Sequence, residues 1–241
     1  MKLRQVFGTD KPIIGMLHLR GYGREEKMAI AREEIAMMYE SGVDAVLAEN
    51  YFGSTNDVIA ALEILKSEYG DRVYGVNILG DFEESCRLAH LYGAKFMQVD
   101  SICGHLEPRK DEKYAEMIAR VREKYPVFVL GGVRFKYQPV LSGRSLEQDL
   151  AIGMTRCDAI VVTGEGTGMD TDIGKIGEFR SFMGDFPLIV GAGMTPESVA
   201  DQLAVADGGI VGSYFKQDGQ AHQPMEEARV MRFMDAVRAV R

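Results

Sequence analysis

A closed (β/α)8 barrel is the fold this sequence predicts, on three observations. Eight short runs rich in Val, Ile and Leu recur along 241 residues, each followed by a longer segment of helical periodicity. The runs are apolar on both faces, as suits parallel strands covered by helices and not half-solvated antiparallel ones. An eightfold alternation in about 250 residues matches the barrel. The rival open, doubly wound sheet usually has fewer strands and a dinucleotide fingerprint at its first turn. Here that turn reads "LRGYGRE", with two glycines and no third at the right offset. No linker, low-complexity stretch or composition break divides the chain, so residues 1–241 are read as one domain.

The elements follow in order. "IIGMLHL" (13–19) precedes a helix on which Met28, Ile35 and Met38 form an apolar stripe. "DAVLAEN" (44–50) precedes a helix with Ser54 as N-cap and Gly70 as terminator. "VYGVNIL" (73–79) leads to a helix ending at Gly93, and "FMQVD" (96–100) leads through a polar loop to "DEKYAEMIARVREKY". "VFVLGGV" (127–133) precedes "SLEQDLAIGMTRC", and "AIVVTG" (159–164) precedes a helix starting near Asp172. "PLIVGAG" (187–193) runs into a helix with Thr195 as N-cap and Pro196 at its first position. "GGIVGS" (208–213) leaves a short segment before the last long helix.

Composition narrows the function. A net charge of −8 argues against nucleic acid, whose phosphates need clustered Lys and Arg. It also disfavours an anionic membrane surface, although peripheral membrane association through a local basic patch stays open. Cys86, Cys103 and Cys157 are odd in number and widely spaced, which reads as a reduced chain and not a disulfide framework or zinc site. No run approaches the ~20 apolar residues of a spanning helix, and the amino terminus lacks a signal-peptide core. The expected setting is cytoplasmic.

The stretch "VTGEGTG" leaves the sixth strand at the end of the barrel where active sites gather. It is no Walker loop, because no Gly-Lys-Ser/Thr follows, and Met169 stands where a dinucleotide fingerprint needs its third glycine. The seventh strand ends in Gly191 and Gly193, the eighth in Gly212 and Ser213. Barrels bind phosphate between these two loops and a short extra helix, where exposed amides and the helix dipole attract an anion. The expected phosphate site is therefore Gly191, Gly193, Gly212 and Ser213, with Lys216 as added charge. Glycines that merely close a tight rim are the competing explanation.

Polar residues at strand ends are informative, because a strand buried on both faces has few places for charge. His18 ends the first strand. Glu49 and Asn50 end the second and point to opposite sides, so one of them faces the mouth. Asn77 lies in the third strand, and Gln98 and Asp100 share a face of the fourth. Arg134 and Lys136 are expected on one face of the fifth, and Thr163 and Glu165 on one face of the sixth, beside Gly164. Glu49, Asp100, Lys136 and His18 are the candidate catalytic residues. A carboxylate would act as base and Lys136 or His18 as acid, or Lys136 would form a Schiff base if its pKa is depressed. Asn50, Asn77, Arg134, Thr163, Gly164 and Glu165 are the candidate substrate contacts. The carboxylates could also hold a divalent metal such as Mg2+, although no spacing motif demands one. A satisfied rim histidine and a solvated loop lysine are the plain alternatives for His18 and Lys136. His90 reads as a packing or solvent residue and His105 as a loop residue.

"IIGMLHL", "GVDAVLAEN", "VTGEGTG", "VGAGMTPESV" and "ADGGIVGSYFKQDG" resemble the BtpA/SgcQ family along nearly the whole chain. The resemblance implies a TIM barrel related to the ribulose-phosphate-binding group. It also implies kinship with a founding member associated with photosystem I biogenesis at thylakoid membranes, and with members that accompany sugar-uptake and sugar-metabolism genes. The matched positions include His18, Glu49, Asn50, Asn77, Lys136, Thr163, Gly164, Gly191, Gly193, Gly212, Ser213, Lys216, Asp218 and Gly219. The chain departs from the family pattern in a shorter first loop, in Tyr137 where the family usually has His, and in "DSICGHLEP" after the fourth strand. Fold kinship alone does not give chemistry. The residues favour an enzyme that performs isomerase- or aldolase-type proton transfer on a phosphorylated sugar or nucleotide-derived sugar phosphate. The alternative is a non-catalytic phosphate-ligand-binding or assembly factor. A homo-oligomer is expected in either case.

Overall fold

The computed structural model describes residues 2–241. Among them the elements run α1 (Leu3–Phe7), β1 (Ile13–Leu17), α2 (Gly23–Glu40), β2 (Ala45–Glu49), α3 (Thr55–Glu68), β3 (Val73–Asn77), α4 (Phe82–Tyr92) and β4 (Phe96–Cys103). They continue as α5 (Pro108–Lys124), β5 (Phe128–Val133), α6 (Leu146–Arg156), β6 (Ala159–Val162), α7 (Ile173–Met183), β7 (Leu188–Val190), α8 (Val199–Val205), β8 (Gly208–Val211) and α9 (Glu227–Arg238). The eight strands pair in parallel, each with its sequence neighbour, and β8 pairs with β1 to close the barrel. The predicted fold class is the one observed.

Alternation of side chains divides the apolar residues into two cores. Ile14, Met16, Leu47, Phe96, Leu130, Val161, Ile189 and Ile210 fill the barrel interior. Ile13, Leu17, Val46, Val76, Met97 and Val190 face the helices. Gly75 leaves room for the Phe96 ring, which any Cβ at that position would strike. The floor is closed by α1, a helix of five residues, too short to announce itself by periodicity. Its Phe7 stacks 5.0 Å from Phe96 and meets Phe128 edge-on at 6.3 Å.

The expected caps Ser54 and Asp172 hold, each accepting an amide of its helix's first turn, and Gly93 ends α4 in the left-handed conformation. The α3 terminus differs: Tyr69 is the C-cap, one residue before Gly70. The α8 start also differs. Helix geometry begins at Val199, and Thr195 and Ser198 instead form a turn in which each hydroxyl accepts the other's amide, at 3.1 and 3.2 Å. All three cysteines are buried and free.

A recurring stitch fastens the lower rim. Asp44, Asp158 and Asp207 each immediately precede a strand, and each accepts an amide from the first two residues of the preceding strand: Ile13 at 2.7 Å, Val129 at 2.8 Å and Leu188 at 2.9 Å. Each carboxylate also meets an arginine, from Arg241, Arg122 and Arg180 respectively. Replacing Asp158 by Ala leaves the Val129 amide and Arg122 without this acceptor. The expected loss is about 1–3 kcal/mol of unfolding free energy, measured by urea titration; an unchanged midpoint would remove the stitch from the stabilising interactions.

Candidate functional site

The inward positions that are apolar low in the barrel become polar at its top. On β2 and β3, Glu49 and Asn77 are register partners, so their side chains lie side by side. Asn77 Nδ2 donates to Glu49 Oε2 at 2.7 Å and to Asp100 Oδ1 at 3.2 Å. Gln98 Nε2 approaches the same Asp100 oxygen at 3.4 Å. The register of β4 against β5 shifts between Val99 and Cys103, at Asp100. Gly132 on β5 faces that irregularity and has no Cβ to collide with the Asp100 carbonyl. Lys136 comes from the loop after β5, its amide held 3.0 Å from Thr163 Oγ1.

Burial and the charge of Asp100 push the Glu49 carboxyl up to about 8. Burial also raises Asp100, opposed by hydrogen bonds from Asn77 and Gln98 and by the charge of Lys136. Lys136 is lowered by burial, against the pull of Glu49, Tyr137 and Asp100. Glu49 is therefore mostly protonated at neutral pH, and the two carboxyls titrate as a coupled pair. His18 packs 5.2 Å from the Tyr51 ring and edge-on to Phe52. Burial, then the charge of Lys216, depress it to about 3, so at neutral pH the imidazole is uncharged. In this structure His18 is thus a neutral ring.

These groups open into a cavity of about 570 Å3. It is lined by Glu49, Gln98, Asp100 and Lys136 and by a glycine wall of Gly191, Gly193, Gly212 and Ser213, which His18 adjoins at Gly212. Gly193 has a φ of 72° and lies against the Met169 carbonyl, where no Cβ would fit. A Cβ on Gly212 would come within 2.9 Å of His18 Cε1. The loop after β6 folds over this wall: Gly168 lies against Ser213, and the Thr167 amide donates to the Tyr137 hydroxyl at 2.7 Å.

Several expected site residues are elsewhere. Lys216 is fully buried and donates to Glu34 Oε2 at 2.6 Å, away from the cavity wall. Arg134 and Lys136 do not share a strand face, because β5 ends at Val133 and Arg134 turns with a φ of 48°. The Arg134 side chain instead meets Asp149 at 3.0 Å. Asn50 points outside the barrel and accepts the Leu79 amide at 2.8 Å, leaving Glu49 as the inward residue of the pair. Thr163 and Glu165 do not share a face either, since β6 ends at Val162; Thr163 is buried under Lys136 and Glu165 is exposed off the cavity. Gly164 is packed against the Asp170 carbonyl. Asn77 holds the two carboxyls and lies behind the cavity wall. The residues sequence reasoning passed over are Tyr51, Gln138 and Arg229, which line the cavity from loops two and five and from α9. Arg229 lies in "MEEARV", a stretch that carries no motif. For a divalent cation, Glu49 and Asp100 are the two carboxylates at the inner end of the cavity, and no third Asp, Glu, His or Cys joins them among the described residues.

The sequence model of the BtpA family matches residues 9–239. This chain belongs to the BtpA family. Among relatives, an uncharacterized protein of Pyrococcus abyssi is 27% identical over 96% of this chain and 98% of its own. The photosystem I biogenesis protein BtpA of Synechocystis is 24% identical over 98% of this chain and 91% of its own. The fold of this BtpA-family chain is similar to that of a structure described as native KDPGal, with a TM-score of 0.67 and 17% identity over 100% of this chain and 98% of the other. It is also similar to phosphoribosyl anthranilate isomerase from Thermus thermophilus, with a TM-score of 0.64 and 14% identity over 95% and 100%. At these identities the likeness is one of fold. No helix among the described residues is long and apolar enough to cross a membrane.

A carboxyl raised from 4.5 to about 8 holds its proton more tightly in the native state than in the unfolded chain. Its stability contribution is full below pH 4.5 and is lost as pH rises through about 8. The stability difference between wild type and Glu49→Gln should therefore fall across that window, by on the order of a few kcal/mol. Urea titrations at a series of pH values measure it, and a pH-independent difference would contradict a protonated Glu49.

Proposed function

We propose that this protein is an enzyme of the isomerase or aldolase type that moves a proton beside a carbonyl of a phosphorylated sugar or nucleotide-derived sugar phosphate. One observation carries the reading: a buried carboxyl raised to about 8, joined through Asn77 to a second carboxyl and influenced by Lys136, in the same cavity as a glycine-lined wall. The phosphate lies against Gly193, Gly212 and Ser213, where the absence of side-chain bulk lets backbone amides approach it. At the other end Asp100, the carboxyl that ionises first, takes the proton from carbon. Glu49, still protonated, donates to the carbonyl oxygen as the enediol forms, so the electron pair freed at carbon ends on a neutral oxygen. Lys136 stabilises the developing negative charge. Environments that push two carboxyls apart in pKa assign the acid and the base. The fold shared with phosphoribosyl anthranilate isomerase is consistent with chemistry of this kind.

The name of the Synechocystis relative supports a second reading, a phosphate-ligand-binding assembly factor without turnover. Exposed Tyr137, Val140, Leu141 and Met169 on loops five and six are the surface that favours it.

The test is exchange of carbon-bound hydrogen in D2O, followed by NMR over a panel of ketose and aldose phosphates and their unphosphorylated parents. Wild type should exchange one class of phosphorylated sugar, with a rate that declines as pH rises through about 8. Glu49→Gln, Asp100→Asn and Lys136→Ala should each lose roughly 10^2- to 10^4-fold. Tight binding of phosphorylated ligands with no exchange and no product would favour the binding protein instead.

A further inference from the structure

Arg229 is a charged residue of the cavity that no motif announces. It projects from the first turn of α9 onto the wall that carries the glycines, and Lys136 is the other Lys or Arg on the lining. Its guanidinium is held in two ways. Nε donates to the Tyr214 carbonyl at 2.6 Å, and the guanidinium carbon lies 4.5 Å from the centre of the Tyr214 ring. Tyr214 directly follows Ser213, so the arginine is tied to the same turn, Ser213–Phe215, that ends the glycine wall. Glu226 reaches Nε only at 3.9 Å and is partly exposed, too far for a hydrogen bond. Both Nη groups are without a hydrogen-bond acceptor among the described residues, although they are the part of the fork that binds an oxyanion bidentately. Asp218, exposed at the outer edge of this wall, is its one carboxylate. The charges thus separate by position: Glu49, Asp100 and Lys136 at the inner end, Arg229 and Asp218 at the outer.

We propose that Arg229 selects the phosphorylated ligand, its Nη groups binding the phosphate oxygens that face away from the glycine wall. The proposal rests on the phosphate reading of the cavity given above, and it puts Arg229 where the sequence suggested Lys216. Lys216 has no freedom to serve: its ammonium is buried against Glu34, which Arg20 also engages at 3.2 Å. A charge already oriented by a carbonyl and a ring loses little side-chain freedom when it binds, which favours a fixed anion over a mobile counterion.

Calorimetric titration with inorganic phosphate, fructose 6-phosphate and fructose tests it. Arg229→Met keeps the stem and removes the charge; it should weaken both phosphorylated probes about ten-fold or more and leave fructose unchanged. Arg229→Lys should recover part of the loss. If Arg229→Met does not fold, the Nε–Hε resonance of Arg229 in the wild type, assigned by its absence in Arg229→Lys, provides the same test. It should shift when phosphate is added. Phosphate affinity unchanged in Arg229→Met, or an unmoved resonance while phosphate binds, overturns the role of Arg229 and leaves the phosphate reading standing. A wild type that binds neither phosphate nor fructose 6-phosphate overturns both.

Discussion

Closure of a parallel barrel sends every second side chain of eight strands into one enclosed space, and the rest of this structure depends on that constraint. The interior must be filled from below and can be polar only where it opens. Phe7, Phe96 and Phe128 fill the floor, and Gly75 yields room to Phe96. Higher on the same faces, apolar residues give way to Glu49, Asn77, Gln98 and Asp100. Register sets Glu49 beside Asn77, and Asp100 reaches the same Asn77 from the irregular part of β4, so no loop has to bring these groups together.

Convergence of buried groups sets their chemistry. Neither carboxyl can ionise freely beside the other, and Asn77 donates to both, which holds them as a pair. Burial alone would drive Lys136 towards the neutral amine; the carboxyls oppose it. His18 meets the reverse condition, since Lys216 adds positive charge to a site that already disfavours an imidazolium. The charge of Lys216, although held out of the cavity by Glu34, thereby adds to the burial that keeps His18 neutral.

The parts of the site legible beforehand were those on regular strands. Period-two alternation correctly placed one of Glu49 and Asn50 at the mouth and paired Gln98 with Asp100. It failed where the strands stopped. Arg134 and Lys136 are two apart, but the left-handed turn at Arg134 breaks the alternation and sends it to Asp149. Glu165 likewise lies beyond the end of β6, in a loop whose course is set by contacts with Gly193 and Tyr137. The glycine wall was legible because glycine is the residue that close backbone approach demands, as at Gly193 beside Met169.

The sequence by itself determined the barrel, its strand order and the polar rim, because each follows from local periodicity and from closure; the floor closed by α1 did not follow from either. The sequence also carried the family, through motifs spread from the first strand to the eighth. Which of Lys216 and Arg229 lines the cavity was decided only by the tertiary structure. Lys216 is 182 positions from Glu34, and Arg229 is 15 from Tyr214. A lysine beside a glycine-rich turn and an arginine in an unremarked helix look alike as charges in a sequence. Their partners separate them: a buried carboxylate neutralises the first, while a carbonyl and an aromatic ring orient the second and leave its charge available.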